Sequence, residues 1–138
     1  MLAASIGALA AIAIWLMARQ FQFDTERSFY PTLVVVIAGY YILFAAMTGV
    51  GLLRETLIAL GFTAGALTGV FHVRGLIALL LFVHGGYDIA HAYLIEQPVA
   101  PTWWPLFCGT LDAVLGVLIA GFAPPPYGWR PARPSTLP

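Results

Sequence analysis

The side chains with chemistry to offer concentrate in one stretch, His84-Gly-Gly-Tyr-Asp88-Ile-Ala-His91. Positions i, i+4 and i+7 of an α-helix fall within about 60° of one another, so His84, Asp88 and His91 form a single stripe. Further on, Cys108 and Asp112 stand four apart and share a helix face in the same way. Imidazole with carboxylate is a ligand set for Zn, Fe, Mn or Cu, and a nearby thiolate favours Zn or Cu. The same groups also serve as a hydrogen-bonded network tying two helices together, or as a chain of proton carriers. His84 and His91 lie about 10 Å apart along a helix axis, which argues against one ion taking all three residues of the stripe. Haem ligation by the two histidines is disfavoured, because axial ligands approach opposite faces of one ring and these residues share one helix face.

The elements that must position these groups are membrane spans. The stripe sits in residues 75–95, GLIALLLFVHGGYDIAHAYLI, which is long and apolar enough to cross a bilayer. Ionisable groups at that depth are costly unless paired or wetted, so the stripe is expected to face protein or an aqueous cavity. The chain as a whole agrees: of 138 residues, 61% are hydrophobic and 9% charged, and the mean hydropathy is +0.90, far from the make-up of a soluble domain. A net charge of zero and the absence of lysine argue against a nucleic-acid surface. A single cysteine, Cys108, excludes an intramolecular disulfide. There is no Gly-rich phosphate loop, nucleophile elbow or paired CxxC.

The pattern predicts an all-α bundle of five transmembrane spans over residues 2–18, 31–53, 55–73, 75–95 and 104–122. Together they make a single membrane domain, residues 1–123, followed by a Pro-rich cytoplasmic tail, 124–138. The first span lacks the positively charged leader of a secretory signal and reads as retained. Arg19 to Tyr30 is a surface loop, and Pro31 suits the first turn of the second helix. Ala3, Gly7 and Ala11 recur every four residues, as do Gly61, Gly65 and Gly69, and both runs are expected to pack closely against other helices. With five spans, Arg19, Arg27, Arg74, Arg130 and Arg133 fall on one side and Arg54 on the other. The positive-inside rule then places the N-terminus outside and the C-terminus in the cytoplasm.

On this topology the fourth and fifth helices form an antiparallel pair. Counting down from their outer ends puts Cys108 level with His91 and Asp112 level with Asp88, so all five groups can converge in the outer half of the bundle. Two carboxylates at one depth require a cation or protonated histidine between them, or at least one retained proton. Glu55, at the outer start of the third helix, either closes the mouth of the cluster or is an ordinary helix-start carboxylate. Tyr87 and Tyr93 flank the stripe as packing residues, and His72 lies near the cytoplasmic end of the third helix, too deep to join it.

The run Arg27-Ser-Phe-Tyr-Pro31-Thr, the stripe His84-Gly-x-x-Asp88-x-x-His91 and the segment Trp104-Pro-x-Phe-Cys108-x-x-x-Asp112 together resemble a family of small, uncharacterised bacterial integral membrane proteins. The likeness runs from about Arg27 to Gly121. It implies a multi-pass protein of the inner membrane and transfers no catalytic role. Three functions stay open from the residues themselves: a protein with an intramembrane metal or proton site, a structural or assembly subunit of a larger membrane complex, and a small transporter that works as a homo-oligomer.

Overall fold

In a computed structural model, which describes residues 1–71, 74–95 and 97–122, the chain forms five helices. These are α1 (Leu2–Gln20), α2 (Phe29–Thr48), α3 (Leu52–Phe71), α4 (Arg74–Leu94) and α5 (Trp104–Phe122), with one 3₁₀ turn at Phe23–Thr25. No strand occurs among the described residues. His72, Glu96 and the Pro-rich tail, with Arg130 and Arg133, lie outside the described residues.

α5 begins and ends where the sequence pattern puts it, and α1 and α4 differ from it by one or two residues. α2 does not run on to Leu53: it stops at Thr48 because Gly49 turns into the left-handed region at φ +72° and donates its N–H to the Ala45 carbonyl. Gly51 repeats that conformation at φ +68°, so residues 49–51 make a tight turn and α3 starts early, at Leu52. Arg54 therefore sits inside the first turn of α3 rather than before it, beside Glu55. Four helices, α1, α2, α4 and α5, are long and apolar enough to cross a membrane. The charged first turn lowers the apolarity of α3, the remaining helix.

The burial pattern is inside out relative to a water-soluble protein. Glu55, His84, Asp88, His91 and Asp112 are buried, while Leu9, Leu16, Leu43, Leu57, Leu60, Leu79 and Val117 point outward. Such an arrangement costs little when the surroundings are hydrocarbon and much when they are water.

α5 packs along both α4 and α1, α3 lies between α2 and α4, and α2 also touches α4. α1 and α5 end together: Arg19 Nη1 donates to the Phe122 carbonyl at 3.1 Å, and the Trp15 and Phe122 rings meet at 5.6 Å. The basic side chain thereby satisfies a carbonyl at the C-terminal end of α5. Between α1, α2 and α5 an apolar groove of about 730 Å³ stays open, with Leu33, Ile37, Phe107 and Cys108 on its walls.

Glycines set the closest helix approaches, though not where the longest glycine run suggests. A methyl group on Gly7 would run into the backbone carbonyl of Phe107, so the Ala3-Gly7-Ala11 run does allow α1 to lie against α5. In α3 only part of the Gly61-Gly65-Gly69 run is in contact: Gly65 faces the Leu80 side chain and Gly69 faces Ile77, whereas Gly61 has open space around it. The helix turns 40° every four residues, so the run drifts off the α4 face by its upper end.

These environments separate two substitutions. Gly7→Ala has no yielding neighbour and is expected to lower stability by about 1–3 kcal/mol, as overpacking does. Gly61→Ala meets nothing and should be neutral or stabilising by about 0.5–1 kcal/mol through helix propensity. Thermal unfolding of the detergent-solubilised variants compares them directly.

Candidate functional site

The site is built on the crossing of α4 and α5. A Cβ on Gly85 would stand 3.2 Å from the Gly109 carbonyl oxygen, and one on Gly109 would stand 3.4 Å from the Gly85 carbonyl oxygen. The two backbones therefore touch at this pair, and each glycine begins a Gly-x-x-Asp sequence, Gly85 to Asp88 and Gly109 to Asp112. Antiparallel packing makes the two reciprocal. The Asp88 Cβ lies over Gly109 and the Asp112 Cβ lies over Gly85. A larger residue at either glycine would separate the helices and pull the carboxylates apart.

This crossing shifts the register from the one expected by counting down from the helix ends. Asp112 is paired with His84 rather than level with Asp88, and Cys108 joins Asp88 rather than His91. The cause is that the glycine contact, not the loop, fixes how far the helices slide past one another. His84 Nδ1 lies 2.7 Å from Asp112 Oδ2 and 3.7 Å from Asp88 Oδ2. The first is a hydrogen bond; the second is too long for one. His84, Asp88, Cys108 and Asp112 each offer a ligand atom, and these four atoms lie within 4.8 Å of one another. All four residues are at most 2% exposed.

His91 is not part of that group. It sits one layer further along α4, with Nε2 at 3.4 Å from Glu55 Oε1. Glu55 is fully buried, which decides between its two sequence readings: it closes the upper layer rather than standing exposed at a helix start. It receives Arg54 Nε at 2.7 Å and a short hydrogen bond from the Tyr87 hydroxyl. Tyr87 is thus a donor as well as a packing residue, whereas Tyr93, at 78% exposure, faces away.

Sequence reasoning missed Tyr41. Its hydroxyl donates to Asp88 Oδ1 at 2.6 Å, and its ring touches both layers, with centroids 4.7 Å from His91, 5.1 Å from Tyr87 and 5.9 Å from His84. The available signal was the Tyr40-Tyr41 pair in the middle of an otherwise apolar span, where whichever hydroxyl is buried needs an acceptor. On the other side of His84, the Phe62 ring packs edge-on at 4.9 Å.

The polar inventory of the lower layer is incomplete in a specific way. Asp88 Oδ2, Asp112 Oδ1 and His84 Nε2 are buried without a hydrogen-bond partner. Two carboxylates share one imidazole, the chain contains no lysine, and neither α5 nor α4 beyond its first residue contains arginine. Buried carboxylates in that position need a further proton or a cation.

Protein-family models, curated proteins and solved structures contain no match to this chain. The site is defined by its own geometry as a His/Asp/Asp/Cys cluster at the heart of a helical bundle whose apolar helices suit a membrane protein.

Removing the Tyr41 hydroxyl leaves Asp88 Oδ1 without its donor. Tyr41→Phe should therefore cost about 1–2 kcal/mol, and Tyr93→Phe, on the exposed face, should leave the unfolding temperature unchanged.

Proposed function

We propose that this chain is a five-span protein of the inner membrane whose core holds one divalent transition-metal ion, ligated by His84, Asp88, Cys108 and Asp112. The observation that carries the reading is the quartet of buried ligand atoms within 4.8 Å, two of its members being carboxylates that each keep an unpartnered oxygen. Donors around a four-coordinate ion with bonds of about 2.0–2.3 Å stand about 3.3–3.8 Å apart. The 3.7 Å between His84 Nδ1 and Asp88 Oδ2 already has that spacing. Drawing in the widest separation needs about 1 Å of side-chain movement. A divalent ion would also neutralise the two carboxylates, and the mixed N, O and S donor set suits zinc.

Four protein donors closed off from water describe a holding centre rather than an open catalytic one. Its physical effect is to clamp α4 to α5 at their crossing. Purified wild-type protein should contain about one equivalent of metal, and Asp88→Asn should lose it while still folding, because asparagine keeps the shape and removes the anion. Cobalt substitution should add a thiolate-to-cobalt charge-transfer band that disappears in Cys108→Ser. Full stability of Asp88→Asn, with no stoichiometric metal in the wild type and no stabilisation on adding zinc, would instead mean that the cluster only ties helices together.

The membrane topology has its own support. Successive helices alternate in direction: α1 and α5 end side by side at Arg19 and Phe122, while the start of α3 meets the outer part of α4 through Glu55, Tyr87 and His91. Alternation with α3 included makes five crossings, and the arginine bias then puts the N-terminus outside. A reporter active only outside the cytoplasmic compartment should work when fused near Pro98 and fail when fused after Pro138. The opposite result inverts the orientation, and activity at both positions removes one span.

A further inference from the structure

We infer that Glu55 and His91 form a second cation site, a loading station through which a divalent transition-metal ion passes on its way to the His84/Asp88/Cys108/Asp112 centre. The inference rests on the metal reading of that deeper centre, and it assigns the upper layer a separate task.

Three observations meet in the upper layer. His91 is fully buried and neither ring nitrogen has a hydrogen-bond partner. One nitrogen of an imidazole carries a proton and the other a lone pair, so both an unmet donor and an unmet acceptor stand in a dry interior, which is unfavourable in a finished packing arrangement. His91 Nε2 and Glu55 Oε1 are 3.4 Å apart. That is long for a hydrogen bond between them and close to the span of two donors on one ion.

The third observation is the present occupant of the carboxylate. Arg54 Nε sits on the same oxygen, Glu55 Oε1, at 2.7 Å, and its side chain remains 38% exposed. A guanidinium reaching in from the surface compensates Glu55 while the cation site is empty, and it can swing outward when an ion takes its place. The opposite oxygen stays fixed by Tyr87, so the carboxylate keeps its orientation during the exchange. With one imidazole and one carboxylate the station holds an ion less firmly than the four-donor centre below it, as a transit site must.

The route onward is short and lined. Tyr41 contacts His91 with its ring and Asp88 with its hydroxyl, and the two histidines lie about 10 Å apart along α4. An ion leaving His91 therefore moves past Tyr41 to Asp88, the uppermost ligand of the deeper set on this helix.

The test uses the full chain in lipid nanodiscs, where lipid covers the sides and both ends face solution. Metal-free protein is mixed with cobalt(II), and the charge-transfer band of the Cys108-containing centre reports arrival. His91→Gln and Glu55→Gln should reach the wild-type final occupancy but load about tenfold more slowly or worse. Arg54→Ala, which removes the competing guanidinium, should load faster than wild type. Wild-type loading rates in both His91→Gln and Glu55→Gln would overturn the loading site while leaving the deep centre standing. If wild-type protein acquires no cobalt band at all, the deep centre is wrong and the loading site falls with it. Glu55→Asp, which keeps the charge, distinguishes damage to the fold from loss of the ligand: recovery of a wild-type-like rate supports the site, and a rate as slow as that of Glu55→Gln counts against it.

Discussion

The deep polar cluster of this bundle depends on two glycines touching. Because Gly85 and Gly109 have no side chains, α4 and α5 approach until backbone meets backbone, and that contact fixes both the distance and the register of the pair. The aspartates that follow each glycine by three residues then flank the contact, Asp88 over Gly109 and Asp112 over Gly85. His84 bonds to Asp112, Tyr41 reaches Asp88 from α2, and Cys108 completes the group. α5 is held on its other side by a second close approach, that of Gly7 to the Phe107 carbonyl. α5 thus joins α1 to α4, while α2 and α3 pack on α4 from the other side.

The interior is layered. The lower layer has two carboxylates and one imidazole; the upper has one carboxylate, one imidazole and a guanidinium that reaches the surface. Tyr41 belongs to both, since its ring packs against the upper histidine and its hydroxyl serves the lower aspartate. Compensation differs between layers for a geometric reason. Arg54 lies in the first turn of α3 with its side chain partly exposed, whereas α5, and α4 beyond its first residue, carry no arginine. The depth of a carboxylate in the bundle thus decides whether arginine can reach it.

Much of this was legible from spacing. The four-residue spacing of small residues in α1, the His84-Asp88-His91 stripe and the Cys108-Asp112 pair all follow from 3.6 residues per turn, and the apolar runs bounded the helices to within a few residues, α2 excepted. What failed was information that does not reside in one helix. The end of α2 turned on two glycines with positive φ, which a hydropathy pattern passes over. The register of α4 against α5 was misjudged by treating the connecting loop as the ruler, when the glycine contact is. The stripe was also divided between two layers, His84 and Asp88 below and His91 above, because the neighbours that claim each residue come from α2, α3 and α5. Tyr41 and Glu55 illustrate the point: their own helices show that each needs a partner, but not that Tyr41 takes Asp88 while Glu55 takes Tyr87 and lies beside His91.

The shared crossing also constrains how the chain is made. Carried alone into hydrocarbon, α4 would bring an aspartate near the middle of the bilayer at a cost of about 2.5–3.5 kcal/mol, with two histidines besides. α5 has the same difficulty with Asp112. Joined across Gly85 and Gly109, the two helices turn these side chains toward each other and present outward surfaces that include Leu79, Val83, Ile89 and Val117. For a helix that carries these groups, release into lipid alone is costly, and pairing with α5 lowers that cost by burying them between the two. In a bilayer the α4–α5 hairpin is thus a cheaper unit to insert than either arm alone, and the two glycines that bring its arms together are what make it so.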